Sequence, residues 1–94
     1  MSDTPKPYYH LTVEAALMIA AAGLTELQVR QVCYGEHHEQ IYGPTLIGIA
    51  GFAEDGTGVA VFAEPDVHTN RRLVKVVRRL KPNETTETKR RLGL

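Results

Sequence analysis

Basic side chains are concentrated at the C-terminal end of this 94-residue chain. Nine of its eleven lysines and arginines lie in residues 71–94 beside two acidic residues, whereas residues 1–70 hold nine acidic and two basic residues. The formally neutral chain is therefore a segment of charge −7 followed by one of charge +7. Guanidinium and ammonium groups bind carboxylates and phosphates, so the basic end predicts a surface for an acidic protein or for RNA or DNA.

The predicted binding residues are the C-terminal cations and one tyrosine whose ring can stack a base. They are Arg71, Arg72, Lys75, Arg78, Arg79, Lys81, Lys89, Arg90, Arg91 and Tyr42. A second interpretation of residues 71–81 is an edge strand, whose charges prevent pairing with another sheet. In that case these cations protect the fold and bind no partner.

Histidine and cysteine are the other residues that could take part in chemistry. His37 and His38 are adjacent, so they point to opposite faces of a strand, and neither His10 nor His68 has metal-ligand spacing to them. We expect a solvated polar turn at the adjacent pair and no metal site. Cys33 has no CxxC partner and no adjacent base, which favours a small core residue. Phosphate-binding glycine motifs, GxSxG and HExxH do not occur, and the sequence predicts no cofactor.

Two short helices are predicted ahead of the sheet. Thr12 is a suitable N-cap for a helix over residues 13–22. Thr25 and Gln28 form a capping box at the start of a second helix, which ends at Gly35. The short connection between the two predicts a helix hairpin.

Strands are predicted after Gly35, at residues 39–42, 45–53 and 59–64, between turn signals rich in glycine and proline. Residues 71–81 fit both a helical stripe and strand alternation, and three valines within four positions favour a fourth strand. The glycines of the second strand predict a bend or the close approach of a helix.

These elements predict a single α+β domain, in which an N-terminal helix hairpin packs on a three- to four-stranded, mainly antiparallel sheet. The domain covers residues 9–81, after an extended lead-in over 1–8. Residues 82–94 have little apolar content, which predicts a basic flexible tail or a helix that forms only on a partner.

The first helix is apolar around its whole circumference, with Glu14 as its one polar residue. One stripe suits the sheet and consists of Val13, Ala16, Leu17, Ala20 and Ala21. A second stripe would then be exposed in a monomer and consists of Ala15, Met18, Ile19 and Ala22. Small alanines let two helices approach closely, so this second stripe predicts the interface of a symmetric homodimer. The alternative is that the second helix and the tail cover it.

The segment HLTVEAALMIAAAGLTELQVRQVCYGE resembles the front of small bacterial toxins of the BrnT and RelE-like type. The residues that carry the resemblance are Leu11, Thr12, Ala15, Met18, Gly23, Leu24, Thr25 and Val29. The resemblance implies an α+β fold and, in the toxin members, RNA cleavage by histidine and basic side chains. Members of the family tend to carry histidine and arginine on the first helix, where this chain has Glu14, Leu17 and Ala22.

The sequence therefore predicts a non-catalytic interaction module, dimeric and toxin-like in fold, that binds an acidic protein or nucleic acid through its basic end. A component of a phage or mobile element fits this description. The alternative is a ribonuclease toxin that uses His10 or His68 as acid or base and Arg78 among its phosphate clamps. No apolar run reaches the roughly twenty residues of a membrane span, and one cysteine without a signal-peptide pattern predicts a cytoplasmic protein.

Overall fold

The computed structural model describes residues 7–66 and 68–94 and shows an α+β fold. Its elements follow in the order β1 (Tyr8–Leu11), α1 (Val13–Ala21), α2 (Glu26–Tyr34), β2 (His37–Gly43), β3 (Leu46–Phe52), β4 (Gly58–Pro65), β5 (Arg71–Arg79) and α3 (Pro82–Arg91). The strands form one mixed sheet in the order β1-β5-β4-β3-β2. β1 runs parallel to β5, and the other neighbouring pairs are antiparallel.

The two N-terminal helices begin where side-chain caps allow it. The Thr12 hydroxyl accepts a hydrogen bond from the Ala15 amide at 3.1 Å, and the Thr25 hydroxyl accepts one from the Gln28 amide at 3.2 Å. Gln28 completes the predicted capping box by accepting from the Thr25 amide at 2.9 Å. α1 ends before Gly23, which has the positive φ of 70° that a glycine adopts without strain.

The hydrophobic core lies between the helices and one face of the sheet, which we call the inner face. α1 packs on β5, and α2 packs on β3 and β4. Val61, Val74 and Val77 are buried on the inner face beneath the helices. A Cβ on Gly51 would lie 3.2 Å from Val32 of α2, so this glycine allows the close approach of a helix that its position in the strand predicted.

The sheet has one strand more than predicted. β1 falls on the end of the expected lead-in, and its register places Tyr8 beside Arg71 and Leu11 beside Val74. Four residues after a proline are too few to show strand alternation, so the sequence gives no sign of this parallel pairing. β5 confirms the predicted fourth strand, but it lies between β1 and β4. The interpretation of β5 as a charged edge strand is therefore wrong.

The expected polar turn at His37 and His38 is also wrong, because both residues belong to β2. They pair with Gly51 and Ala50 of β3. Two adjacent histidines flanked by glutamates show no alternation of apolar and polar residues, so the sequence does not predict a strand here. The segment becomes a strand because it pairs with the apolar β3.

Residues 82–91 form α3 in place of the predicted flexible tail. Proline suits the first turn of a helix, and Glu84 accepts a hydrogen bond from the Lys81 amide at 2.8 Å. The Arg78 guanidinium donates to both carboxylate oxygens of Glu84, at 2.6 and 2.8 Å. Thr88 is buried. Caps and one forked ion pair thus define a helix that has almost no apolar face.

The buried residues of α1 come from the stripe that was predicted to be exposed, and the stripe that was predicted to face the sheet is exposed. Ala15 and Ile19 are buried in the core, whereas Val13 and Leu17 are 76% and 67% exposed. The proposed dimer interface at Ala15, Met18, Ile19 and Ala22 is therefore wrong for the two buried members. The Thr12 hydroxyl also donates to the Val74 carbonyl of β5 at 2.8 Å and so ties the start of the helix to the sheet in this orientation. A helix that is apolar on every side offers no periodicity from which to predict this choice.

Among the described residues, no helix combines the length and the apolar character that crossing a membrane requires.

Replacing Arg79 with methionine should destabilise the fold by about 1–2 kcal/mol. Arg79 Nε donates to the Ala22 carbonyl at 2.7 Å and Nη2 to the Gly23 carbonyl at 3.0 Å, and these bonds close the C-terminal end of α1. Methionine keeps the apolar stem and loses both bonds. Urea unfolding followed by circular dichroism measures the effect. Arg71→Met is the control, because the exposed Arg71 side chain makes no hydrogen bond to a described residue. Equal losses in the two variants would contradict this role of Arg79.

Candidate functional site

A row of four residues crosses the outer face of the sheet, opposite α1 and α2. The strand register places His38 beside Ala50, Ala50 beside Ala60, and Ala60 beside Arg78. The two ends of the row are separated by three strand spacings, roughly 14 Å. Because the two central side chains are methyl groups, the row forms a hollow with a histidine at one side and an arginine at the other.

An aromatic wall stands along one side of this hollow. The next row contains Gln40, Gly48 and Phe62, and the Tyr42 ring lies over Gly48. A Cβ on Gly48 would be 2.5 Å from Tyr42 Cε2, so glycine is what allows the ring to lie against the sheet. The Tyr42 and Phe62 ring centroids are 5.9 Å apart, with planes inclined by 45°. Tyr42 is 54% exposed, which leaves much of its ring free to contact a ligand.

α3 forms the opposite wall and turns the hollow into a groove of about 230 Å³. Its Glu84, Glu87, Thr88 and Arg91 line the groove. A volume of this size, at the low end for small-molecule sites, suits one flat ring system and not a large cofactor.

The Arg78–Glu84 pair fixes the position of α3. The Arg78 guanidinium holds the Glu84 carboxylate in the forked geometry described above and lies 5.6 Å from the centre of the Phe62 ring. Hydrogen bonds from Arg78 and from the Lys81 amide lower the pKa of Glu84 to about 2. The arginine is thus oriented by a carboxylate on one side and by an aromatic ring on the other.

Several polar groups of the groove have no intramolecular partner. Within the described residues, the side chains of His38, Gln40 and Asn83 make no hydrogen bonds, and all three line the groove. Arg91 contacts Glu87 at 3.2 Å, and Lys89 Nζ lies 6.0 Å from the centre of the Phe52 ring. The groove therefore combines an exposed aromatic ring, free donors and acceptors, and cations along its α3 side.

The predicted binding cations do not form one surface. Tyr42, Arg78 and Arg91 line the groove, and Lys89 lies beside it. Arg79 closes α1 on the inner side, Lys75 pairs with Glu64 at 3.2 Å, and Arg90 forms an ion pair with Glu87. Arg71 and Lys81 are exposed away from the groove lining. The predicted binding cations are therefore spread over several parts of the fold, and their binding role stays a prediction.

Arg72 belongs to a separate polar cluster at the end of the core. Its Nη1 donates to the Tyr9 hydroxyl at 2.7 Å and to Glu39 at 2.8 Å. His37 Nε2 lies 3.8 Å from Glu39, and Nδ1 is 2.8 Å from the Val32 carbonyl. The hydrogen bond from Arg72 holds the pKa of Glu39 below its usual value, and burial raises the pKa of Tyr9 to about 12. This cluster joins β1, β5 and β2 across the inner face.

Cys33 is buried beside this cluster, in agreement with its predicted place in the core. Burial raises the pKa of its thiol to about 12, so the thiolate required for nucleophilic or redox chemistry is not formed at neutral pH.

The residues of the ribonuclease hypothesis are not gathered in one place. His10 pairs with Leu73 near the start of β5, and His68 lies in the loop before β5. Arg78 lies on the same strand five residues beyond Leu73, roughly 16 Å along it. General acid–base catalysis requires its groups within hydrogen-bond reach of one substrate, and this arrangement does not provide that. Within the described residues, no three histidine, cysteine or acidic side chains converge to hold a metal ion.

Sequence reasoning missed most of the groove residues, among them His38, Gln40, Phe62 and Asn83. Their proximity depends on the strand register and on where α3 lies, neither of which the sequence reveals. Three small residues, Gly48, Ala50 and Ala60, are the feature of the sequence that could have indicated the groove. Small side chains within strands indicate a bend or the close approach of another group.

Comparisons with protein-family models, with curated proteins and with solved structures each found no match for this chain. The resemblance to BrnT and RelE-like toxins therefore stays a prediction.

Substituting Gly48 with alanine should displace the Tyr42 ring from the sheet, because the added methyl group would overlap its edge. Loss of nuclear Overhauser effects between the Tyr42 and Phe62 rings measures this displacement. The same substitution in a Tyr42→Ala background should cost less unfolding free energy, since the main clash is then absent. Unchanged contacts between the two rings in Gly48→Ala would contradict the packing described.

Acidification should selectively weaken the attachment of α3. The folded-state pKa of Glu84 lies below its ordinary value of 4.5, so ionised Glu84 stabilises the fold above pH 4.5, and this contribution is lost as the pH falls towards 2. Wild type should exceed Glu84→Gln in urea midpoint near neutral pH, and the difference should shrink from about pH 5 to about pH 3. Glu14→Gln, at an exposed carboxylate without an ion pair in the described chain, is the control. A difference that does not vary with pH would refute the ionic attachment.

Proposed function

We propose that this chain binds single-stranded nucleic acid in the groove between the outer face of the sheet and α3. The observation that carries the proposal is the half-exposed Tyr42 ring, which lies beside a hollow lined with unpaired polar side chains and an oriented arginine. The role is that of a binding module and not of a catalyst.

Stacking is the first contribution. The Tyr42 ring presents an apolar face beside the alanine floor of the groove, where a base that enters the groove can stack on it. Base–aromatic stacking is worth about 1–3 kcal/mol per base and tolerates any sequence. A duplex hides the faces of its bases, so this contact requires a single strand or a flipped base.

Hydrogen bonding and phosphate binding complete the site. Gln40, Asn83 and His38 provide free donors and acceptors for the edge of a base. Residues 81–94 contain four basic and two acidic side chains. Arg91 lines the groove and Lys89 lies beside it, so these two cations are placed to contact the phosphodiester backbone. Arg78 adds a guanidinium whose orientation is already fixed.

An acidic protein is a less suitable partner for this groove. Such a partner needs a broad field of available cations, but the fold distributes the basic residues over both faces and pairs many of them internally. A narrow groove with an aromatic wall matches the size and shape of a base.

Tyr42→Ala should weaken the binding of a fluorescent single-stranded oligonucleotide roughly 5- to 150-fold in Kd, because a stacking contact is lost. Fluorescence anisotropy at low ionic strength measures the affinity. Tyr8→Ala is a matched control, because Tyr8 is 53% exposed but lies on β1, away from the groove. Wild-type affinity should also fall with added salt in proportion to the number of phosphate contacts.

Three results would contradict the proposal. The first is equal loss of affinity in Tyr42→Ala and Tyr8→Ala. The second is the absence of saturable binding to any single strand, together with tight binding of an acidic polypeptide. The third is shortening of the oligonucleotide during incubation, which would favour the ribonuclease hypothesis.

A further inference from the structure

The free edge of β2 offers a surface of a different kind. β2 is the last strand of the sheet and pairs with β3 on one side. Backbone amide and carbonyl groups on its other side are therefore available to another strand. We propose that two copies of this chain form a dimer by antiparallel pairing of their β2 strands.

β2 lacks the usual protection of an edge strand. No lysine or proline occurs in HHEQIYG, and its one acidic side chain, Glu39, is already paired with Arg72. The strand is regular from His37 to Ile41, and its register shift lies beyond that point. The opposite edge differs, since β1 has four residues and directly follows Pro7. Edge strands that are long and unguarded are templates for pairing with another chain.

The side chains of β2 disfavour a symmetric pair centred on Glu39 and favour one centred on Gln40. In an antiparallel pair, residues directly opposite each other have their side chains on the same side of the sheet. When the two strands are identical and related by a two-fold axis, this condition places the axis at a residue and not between two residues. A centre at Glu39 would place two carboxylates opposite each other. A centre at Gln40 places each Glu39 opposite Ile41 of the second copy and each His38 opposite Tyr42. No like charges then face one another, and the 71% exposed Ile41 gains a neighbour on each side.

This dimer would bring the two grooves together. His38 and Tyr42 both line the groove, so a pair centred on Gln40 would bring the histidine of each copy towards the tyrosine of the other. The joined grooves would form one binding surface across a ten-stranded sheet. This last consequence rests on the proposed nucleic-acid function, whereas the dimer itself depends only on the edge of β2.

Sedimentation velocity without nucleic acid tests the dimer separately from the binding function. Ile41→Glu should weaken dimerisation roughly tenfold or more, because it places new carboxylates opposite Glu39. Ile41→Lys should preserve dimerisation, because a lysine at the same site faces Glu39 favourably. Both variants change an exposed side chain, and circular dichroism checks that each retains the fold. Leu17→Glu, on the exposed face of α1, should leave the dimer intact.

A wild-type protein that stays monomeric at high concentration would overturn the proposal. Equal loss of dimerisation in Ile41→Glu and Ile41→Lys would also overturn it, because the register about Gln40 predicts opposite effects of the two charges. Loss of the dimer in Leu17→Glu would assign the interface to α1 instead.

Discussion

Four of the five cations of β5 connect this strand to other elements of the fold. Arg72 reaches Tyr9 of β1 and Glu39 of β2, and Lys75 pairs with Glu64 of β4. Arg78 holds Glu84 of α3, and Arg79 closes the C-terminal end of α1. The strand lies inside the sheet, between β1 and β4, and its side chains reach elements on both faces. A forked guanidinium suits this role, because it donates several hydrogen bonds in fixed directions.

This arrangement changes the meaning of the charge separation along the sequence. Two halves of opposite charge suggest a dipolar molecule with one end that attracts anions. In the fold the two halves interleave, since Glu39 and Glu64 come from the acidic half and pair with cations from the basic half. What is left for a partner is the surface beside α3, where Lys89 and Arg91 border the groove. Net charge along a chain constrains partners only after internal pairing is taken into account.

Local sequence signals predicted the elements whose ends are marked by capping residues or turn residues. The caps at Thr12 and Thr25 placed α1 and α2, and turn residues separated the central strands. Two failures occurred where the deciding contacts are distant in sequence. The position of β1 depends on a parallel partner more than sixty residues away, and α1 is tied to that same strand by the hydrogen bond from Thr12 to Val74. The third failure has a local cause, because Arg78 and Glu84, which attach α3, are six residues apart, but the low apolar content of the segment gave no reason to expect an ordered helix.

The glycines of β3 show why the candidate site itself was only partly predictable. Gly48 and Gly51 are three residues apart, so they face opposite sides of the sheet. Gly51 admits α2 on the inner face, whereas Gly48 admits the Tyr42 ring on the outer face. The sequence predicts that something lies close to each glycine but does not distinguish a helix from an aromatic ring. The groove exists because Gly48, Ala50 and Ala60 share the outer face, and that common face is a property of strand register. Small residues thus shape both sides of one sheet, so that one face packs the core and the other stays open enough to hold a ligand.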